Sequence, residues 1–296
     1  MKTLKDLPPV KEMLDKAKSI LGYDIMDIIL NGPEEKLEQT KFCQPAMYIA
    51  GLAAVKQLEM DEPSKVSDCK AVAGLSLGEY TALTVAGVFD FETGLSLVKS
   101  RGEAMDFEAT KEGGPQQGML SVAGLEESVV NDLIKEVMAS RKGGVCQIAN
   151  HLFPKGFSVA GSKDAVEELK VKAEDAGALQ AKVLKTSGAF HTPMMAGARD
   201  HLMSQLHAAK DRMRSPRCTV YMNTTAQAIG PQTSPDDIIE LLGNQLVSPV
   251  LWEQSMQQAI ADGMTEFYEC GPSKQLKAMM KRIDPKMAEN TTNILA

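Results

Sequence analysis

The sequence predicts an α/β protein in which a small ferredoxin-like βαββαβ subdomain is inserted into a larger α/β domain. Three observations support this prediction. Apolar residues recur at helical spacing near the start of the chain and again in its last third. A short apolar segment enters a glycine turn and leaves as a helix at Ala71–Ala86. The middle of the chain alternates strands and helices in the order β-α-β-β-α-β. The predicted division is 1–115 and 187–296 for the two parts of the larger subdomain and 116–186 for the small one.

The first part of the chain is predicted to be mainly helical up to the glycine turn. In the first thirty residues Ala17 and Leu21 belong to a helical pattern of apolar positions. A second helix is expected over Thr40–Gln57, where small apolar residues follow one another closely. A short strand at Lys70–Gly74 comes next, and a helix follows at Gly78–Ala86.

The remaining elements are predicted from alternation in strands, from helical periodicity and from the positions of glycine and proline. The predicted strands are Gln117–Leu125, Val145–Leu152, Phe157–Gly161, Leu179–Thr186, Arg217–Asn223 and Glu266–Glu269, and the predicted helices are Glu126–Ser140, Lys163–Ala176, Pro193–Lys210, Asp236–Leu246, Trp252–Ala261 and Lys274–Arg282.

The composition is that of an ordinary globular protein, and it argues against several classes. The 296 residues, 44% of them hydrophobic, provide ample material for a buried interior. A net charge of −7 argues against a nucleic-acid partner, because phosphate binding needs a basic face. No apolar run approaches the roughly 18 residues of a membrane span, and the N-terminus lacks the apolar stretch of a secretory signal. We therefore expect a soluble protein without a membrane partner.

The five cysteines are odd in number and scattered, without a CxxC pair or other metal-ligand spacing. They indicate reduced thiols in a reducing compartment and predict no metal site. We expect the plastid or the mitochondrion if the source is eukaryotic, and otherwise the cytoplasm.

The G-x-S-x-G pattern at Gly74–Gly78 indicates a nucleophile elbow. In such a turn the serine, here Ser76, is strained and exposed at a helix N-terminus, where the helix dipole favours negative charge. Side chains at positions 74 and 78 are predicted to collide, and the amide of Leu77 is predicted to point at a developing oxyanion. The alternative is a serine in an ordinary helix cap, which the preceding apolar strand disfavours.

A serine nucleophile needs a base, and the sequence contains four histidines. His201 and His207 lie in a polar helical stretch and are expected to face solvent. His151 lies near a turn between two predicted strands. His191 lies in SGAFHTPMM, a loop of the kind that often presents catalytic side chains, and a structural histidine is the alternative. No acidic residue stands out as a third member, so a triad and a dyad oriented by a backbone carbonyl both remain open.

Arg101, in LVKSRGEAM, falls on the helix expected after the elbow. Most helix arginines are solvated, and that is the alternative here. A substrate with a free carboxylate would favour a binding role, because a guanidinium can hold a carboxylate with two hydrogen bonds.

Five ordered segments resemble one family. The segment AGLSLGEYTALTVAGVFDFETGLSLVKSRGEAM closely resembles the core of malonyl-CoA:acyl carrier protein transacylases and of acyltransferase domains in fatty-acid and polyketide synthases. The other segments are QIANHLFPKGFSVAGS, SGAFHTPMM, NQLVSPVLWEQSM and YECGPSKQLKAMMKRID, and together they cover nearly all of the chain from about Leu21. The resemblance implies an α/β-hydrolase-like core with the inserted ferredoxin-like subdomain.

By this resemblance Ser76 is the acylated nucleophile and His191 its base. The backbone amide of Leu77 supplies half of the oxyanion hole, and Arg101 grips the malonyl carboxylate. Gln245 supports the site, and its backbone carbonyl orients the imidazole.

Three further residues acquire roles from the resemblance. Phe190, directly before the histidine, is associated with a preference for malonyl over methylmalonyl groups, because its ring narrows the pocket beside the α-carbon. Asn150 and His151 match the segment that lines the cleft from the small subdomain.

The chain departs from the family pattern in two places. Leu75 replaces the usual histidine before the nucleophile, and the form G-L-S-L-G-E-Y looks like plant and algal organellar members. Family members also begin with a strand and a Gly-Gln-rich loop that supplies the second oxyanion-hole amide, and nothing similar precedes Leu21. The expectation is either that the chain as given is truncated or that another backbone group substitutes. Since one such donor is worth roughly 10²–10³ in rate, the chain as given is expected to acylate poorly.

The resemblance implies transfer of a malonyl group from malonyl-CoA to the phosphopantetheine thiol of acyl carrier protein through a malonyl-serine intermediate. Malonyl-CoA and the carrier protein are then the partners, and no resident cofactor is expected. The rivals are a serine hydrolase or thioesterase of the α/β class and a catalytically weak homologue that binds the carrier protein.

Overall fold

The computed structural model describes residues 1–141, 143–186 and 188–296, and it confirms the mixed α/β class. The helices are α1 (Pro8–Leu21), α2 (Ile25–Asn31), α3 (Glu34–Glu38), α4 (Thr40–Asp61), α5 (Pro63–Ser67), α6 (Gly78–Val85), α7 (Phe91–Thr110), α8 (Glu127–Met138), α9 (Lys163–Asp175), α10 (Ala196–Ala209), α11 (Pro235–Gln245), α12 (Trp252–Ala261), α13 (Gln275–Ile283) and α14 (Pro285–Glu289). The strands are β1 (Ala71–Ala73), β2 (Gln117–Ala123), β3 (Cys146–Phe153), β4 (Gly156–Ser162), β5 (Gln180–Val183), β6 (Thr219–Tyr221), β7 (Ala228–Ile229), β8 (Val250–Leu251), β9 (Phe267–Gly271) and β10 (Thr291–Leu295).

The helical region predicted for the first thirty residues is divided into two helices. Helix α1 ends because Gly22 adopts a left-handed conformation, with φ of 81°, and its N–H bonds back to the carbonyl of Lys18. Helix α2 then begins at the Asp24 cap, whose carboxylate accepts the amides of Met26 and Asp27. The break turns the chain so that both helices bury an apolar face on the same core.

Short parallel strands carry the elbow and the end of the chain. Strand β1, which leads into the elbow, pairs in parallel with β6, and β6 pairs with β7 in antiparallel. Strand β9 pairs in parallel with β10. The sequence did not predict β10, although Thr291, Thr292 and Ile294 are β-branched residues that favour strands.

The middle of the chain forms a five-stranded sheet in the order β5-β2-β4-β3-β8. From β2 to β5 the elements follow the predicted order β-α-β-β-α-β. An apolar cluster between Leu120 and Ala173 packs α8 and α9 on this sheet. The fifth strand, β8, comes from the last third of the chain and pairs in parallel with β3. It therefore joins the small sheet to the segment that contains α11, and the proposed division at 115 and 186 stays a prediction.

Helix α7 runs through the larger apolar cluster and contacts α1, α4, α6 and α10. It buries the entire Arg101 side chain, which is 1% exposed. The strand β1, the helix α7 and the loop before α10 converge on one place, and this convergence positions the site. None of the described helices combines the length and the apolar character needed to cross a membrane.

Candidate active site

Ser76 lies at the sharp turn between β1 and α6 with a left-handed backbone, at φ of 50°. This conformation is costly for a residue other than glycine, so surrounding contacts must hold it. The Ser76 amide donates to Oδ1 of Asn223 at 2.7 Å, and its carbonyl accepts from Nε2 of Gln245 at 2.8 Å. The elbow is therefore fixed from outside by two polar side chains.

The two glycines of the elbow are not equivalent. A Cβ atom at position 74 would collide with the backbone of Gly78 and lie 2.6 Å from the amide nitrogen of Glu79. A Cβ atom at position 78 would meet no atom within 4 Å. The prediction of a collision is thus confirmed for Gly74 and wrong for Gly78, because Gly78 is already the first residue of α6 and its Cβ would point into open space.

Ser76 and His191 are in direct contact. The Ser76 Oγ atom lies 2.8 Å from Nε2 of His191, and Nδ1 of His191 lies 2.7 Å from the carbonyl oxygen of Gln245. A carbonyl can only accept, so Nδ1 carries the proton and donates it to Gln245. Nε2 is then free to accept the hydroxyl proton of Ser76, which is the arrangement that a general base requires.

The electrostatic surroundings keep His191 neutral. Burial and, to a smaller extent, the positive charge of Arg101 lower the pKa of His191 to about 4, although the hydrogen bond to Gln245 raises it. The side chain is 3% exposed. At neutral pH the imidazole is therefore in its basic form and needs no deprotonation before it can act.

The loop that carries His191 is held by the small sheet. His191 itself has a left-handed backbone, with φ of 61°. Gln147, on β3, donates from Nε2 to the His191 carbonyl at 3.2 Å. Gln117, on β2, accepts from the Ala189 amide at 2.8 Å. The five-stranded sheet thus sets the position of His191, while Ser76 comes from the larger part of the protein.

Arg101 points its guanidinium at the serine from α7. Its Nη2 atom lies 3.2 Å from Ser76 Oγ and 2.8 Å from Oε1 of Gln245, and Nη1 donates to Oε1 of Gln44 at 2.6 Å. Its Nε atom has no hydrogen-bond partner among the described residues. Burial lowers the pKa of Arg101, yet a guanidinium stays protonated in proteins. A buried guanidinium with Nη2 beside the nucleophile is suited to hold a carboxylate.

Three polar residues of the site were missed by sequence reasoning. Glu79, Asn223 and Gln44 are buried, and each bonds a residue that the sequence did single out. Glutamate is common in the first turn of a helix and asparagine is common after a strand, so the sequence positions of Glu79 and Asn223 did not set them apart. Gln44, in the second turn of the largely apolar helix α4, is an unusual polar residue at a buried position, and this could have indicated it.

The ring of Phe190 is half-buried beside the catalytic loop. It packs against the large apolar cluster and against a small one that includes Ala149 and Ala189. A side chain at position 188 would collide with the Phe190 ring, so Gly188 leaves room for it. Its influence on the acyl group remains a prediction.

Asn150 and His151 lie on β3, where β8 pairs with them. His151 stacks edge-on against Phe157, with ring centroids 5.6 Å apart, and its Nδ1 lies 3.7 Å from a carboxylate oxygen of Glu127. Burial lowers the pKa of His151. These contacts are distinct from those of the Ser76–His191 pair, and the lining of the cleft by both residues stays a prediction.

A strained serine, a neutral histidine and a buried arginine on an α/β scaffold define a serine-nucleophile enzyme with provision for an acidic substrate. The sequence profile described as "Acyl transferase domain" matches residues 10–292. The chain belongs to this family, as its five ordered segments predict.

Individual relatives make the resemblance more specific. The mitochondrial malonyl-CoA-acyl carrier protein transacylase of Mus musculus is 38% identical over 288 residues, which span 94% of this chain and 73% of the relative. The malonyl CoA-acyl carrier protein transacylase of Escherichia coli K12 is 33% identical over 286 residues, which span 97% of this chain and 88% of the relative.

Solved structures share the fold over almost the whole chain. The malonyl CoA-acyl carrier protein transacylase of Coxiella burnetii superimposes with a TM-score of 0.87 at 32% identity, covering 97% of this chain and 86% of that one. A second structure contains a type II polyketide-synthase acyl-carrier protein in complex with its malonyl-transacylase. It superimposes with a TM-score of 0.84 at 29% identity, covering 99% of this chain and 89% of that one.

Proposed function

We propose that this protein transfers a malonyl group from malonyl-CoA to the phosphopantetheine thiol of acyl carrier protein, for fatty-acid or polyketide synthesis. The observation that carries the proposal is the guanidinium of Arg101, which lies 3.2 Å from the nucleophilic oxygen with its Nε unpaired among the described residues. A general esterase would have no use for a buried cation at this place. The relatives named as malonyl-CoA-acyl carrier protein transacylases support the choice of substrate and carrier.

In the first half-reaction Ser76 Oγ gives its proton to Nε2 of His191 and attacks the thioester carbonyl of malonyl-CoA. The carbonyl oxygen becomes an oxyanion. The Leu77 amide, for which no acceptor is found among the described residues, is available to bind it. The C–S bond then breaks, His191 returns the proton to the departing CoA sulfur, and a malonyl-serine ester remains.

In the second half-reaction the phosphopantetheine thiol enters where CoA left. Neutral His191 takes the thiol proton, the sulfur attacks the malonyl-serine ester, and Ser76 Oγ leaves and recovers the proton. The carboxylate of the malonyl group is proposed to stay on Arg101 through both steps. This fixes the acyl carbon near Ser76 and reduces the entropic cost of each attack.

The proposed binding also strengthens the base. The free site holds the Arg101 cation next to His191, and this charge lowers the pKa of the imidazole. A malonyl carboxylate bound to Arg101 compensates that charge, so the pKa of His191 should rise when the correct substrate is present. An acetyl group brings no such charge. The preference for malonyl-CoA over acetyl-CoA should therefore appear in the rate of acylation as well as in binding. Proton and acyl transfer by these side chains require no resident cofactor.

Incubation of the purified protein with malonyl-CoA tests the proposal. We expect the mass of one malonyl group on the peptide that contains Ser76, and its transfer to holo acyl carrier protein. Ser76→Ala should abolish the adduct, and Ser67→Ala, at a surface position, should leave it unchanged. Absence of the adduct with carrier-protein binding intact would favour the non-catalytic homologue. Faster loss of the adduct to water than to the carrier thiol would favour a hydrolase.

A compartment is proposed from the relatives alone. The mouse and human relatives are named as mitochondrial proteins, at 38% and 37% identity. We therefore propose a mitochondrial location, and fluorescence microscopy of the full-length gene product tagged at its C-terminus tests it.

A further inference from the structure

Glu79 is the most deeply buried acidic residue near the nucleophile. It lies in the first turn of α6, three positions after Ser76, and is 1% exposed. Its Oε1 atom accepts the backbone amide of Asn223 at 2.6 Å, and Oε2 accepts Nε2 of Gln245 at 2.7 Å. The carboxylate therefore joins two segments that are distant in the sequence.

Each partner of Glu79 in turn holds the nucleophile. Asn223 accepts the Ser76 amide through Oδ1 and donates from Nδ2 to the Gly74 carbonyl, both at 2.7 Å. It therefore holds the backbone on both sides of Leu75, directly before the serine. Gln245 donates to the Ser76 carbonyl at 2.8 Å.

Gln245 also reaches the other two functional side chains. Its Oε1 atom accepts Nη2 of Arg101 at 2.8 Å, and its backbone carbonyl accepts Nδ1 of His191 at 2.7 Å. One residue thus contacts all three groups: its side-chain amide bonds the Ser76 carbonyl and Arg101, and its backbone carbonyl bonds His191. The Gln245 Nε2 group is shared between Glu79 Oε2, at 2.7 Å, and the Ser76 carbonyl, at 2.8 Å, so the Glu79 carboxylate helps to fix the orientation of this side chain.

We propose that Glu79 is a positioning residue for the serine–histidine pair, holding Gln245 and Asn223 so that Ser76, His191 and Arg101 keep their mutual geometry. The carboxylate does not touch the reacting atoms, and it acts only through these two neighbours. The inference deepens the proposed function, because it concerns the same site.

Hydrogen bonding and the charge of Arg101 favour the ionised form of Glu79, whereas burial opposes it. Burial is the larger influence, so the pKa of Glu79 is raised to about 7 although the Asn223 amide, the charge of Arg101 and the Gln245 amide each lower it. Both oxygens face N–H donors, and a carboxylate is acceptor-only. Its negative charge also compensates the buried cation of Arg101, which otherwise has only amide and hydroxyl oxygens around its N–H groups.

An amide in place of the carboxylate breaks this pattern. Glutamine has the same shape, but one of its two terminal atoms is a donor. That donor would face either the Asn223 N–H or the Gln245 NH₂ group, and a donor facing a donor in a buried site costs free energy. Glu79→Gln should therefore loosen one of the two segments while filling the same volume.

The experiment measures the second-order rate at which a fluorophosphonate probe labels Ser76. This probe needs an activated serine and carries no carboxylate, so the result is independent of whether malonyl-CoA is the substrate. We expect Glu79→Gln to label about 10-fold to 100-fold more slowly than the unmodified protein. A rate equal to that of the unmodified protein would overturn the proposal.

Glu269→Gln is the matched control. Glu269 is a buried glutamate, 7% exposed, whose two oxygens accept the amides of Leu276 and Lys277 at 2.9 and 2.8 Å. Its partners lie outside the site. The Glu269→Gln variant should lose about as much stability as Glu79→Gln, but the folded variant should keep the labelling rate of the unmodified protein. Equal losses of labelling in both variants would reduce Glu79 to a general structural role and overturn the proposal.

A paired variant tests the mechanism directly. In Glu79→Gln with Gln245→Glu the amide at 79 donates to the carboxylate at 245, so the contact is restored with reversed polarity. The double variant should label faster than the product of the two single effects predicts. Strict additivity would contradict the proposed contact.

If Glu79→Gln does not fold, Glu79→Asp takes its place in the single-variant measurement. Aspartate keeps both acceptors but shortens the reach, so an intermediate rate is expected and an unchanged rate would contradict the proposal.

Discussion

The Nδ1 atom of His191 lies 2.7 Å from the backbone carbonyl oxygen of Gln245. The residues by themselves left open whether a carboxylate or a carbonyl orients this imidazole, the family resemblance implied the Gln245 carbonyl, and the structure confirms that carbonyl. A carbonyl does not titrate, so it holds the same tautomer of the imidazole throughout the pH range in which His191 is neutral. It also adds no negative charge beside the histidine, which keeps the pKa of His191 low.

Replacing Arg101 with alanine should reduce selectivity for malonyl-CoA over acetyl-CoA by about 10-fold to 100-fold, the factor expected for lost charge-assisted hydrogen bonds. The comparison uses serine acylation rates with both thioesters. Arg141→Ala is the control, because Arg141 pairs with Asp164 and Glu168 on the surface of the small sheet. An Arg101→Ala protein with unchanged selectivity would remove the arginine from substrate binding.

Replacing Phe190 with serine should admit methylmalonyl groups. The ring is half-buried beside His191, and its removal opens space worth at least one methyl group, for which we expect about a 10-fold rise in the ratio of methylmalonyl to malonyl transfer. Phe107→Ser is the control, since that ring is 63% exposed on α7. If the acyl profile of Phe190→Ser matches that of the control, the ring does not select the substrate.

The pH dependence of labelling should identify the effect of Arg101 on His191. The pKa of His191 is lowered to about 4, whereas an ordinary histidine has a pKa near 6.5. The free protein should therefore react with a fluorophosphonate down to a much lower pH than it would with an ordinary histidine as its base. Removing a nearby positive charge favours the protonated imidazole. In Arg101→Ala the acidic limb of the rate profile should therefore move to higher pH.

Circular dichroism at each pH establishes that the folded protein is being measured. An acidic limb that stays in place in Arg101→Ala, or moves to lower pH, would contradict the electrostatic coupling between Arg101 and His191.

The two elbow glycines should respond differently to alanine. A Cβ at position 74 collides with the backbone of the next turn, whereas one at position 78 meets no atom within 4 Å. Gly74→Ala should lose about 3 kcal/mol or more of unfolding free energy and most of its labelling. Gly78→Ala should stay within about 1 kcal/mol of the unmodified protein, because alanine is favourable in a helix. Urea unfolding and fluorophosphonate labelling check both, and equal losses would show that the elbow needs both glycines for another reason.

Much of the fold was predictable because its local signals were strong. Helix α12 begins and ends where the pattern predicts, and the strands of the small sheet lie within a few residues of their predicted bounds. The short strands β8 and β10 were not predicted. Two residues of β8 cannot show a period, and their pairing with β3 depends on a segment about a hundred positions away.

The candidate site also contains residues that the sequence predicts and residues that it does not. Ser76 and its elbow follow from spacing that is local in the chain. From the residues alone His191 and Arg101 were candidates with structural or solvated alternatives, and the family resemblance implied their roles. The structure places them 2.8 Å and 3.2 Å from the serine oxygen. Glu79 had no visible role at all, because its partners Asn223 and Gln245 are more than a hundred positions away.

The sequence by itself determined the α/β class, the elbow and the family, because each rests on residue types at short, fixed separations. The tertiary structure alone decided which glycine the elbow requires and which two residues the buried carboxylate of Glu79 bonds. These are contacts between segments that meet only when β1, β6, α7 and α11 pack together. Hydrogen bonds depend on distances of a few tenths of an ångström, and no spacing along the chain specifies distances of that kind.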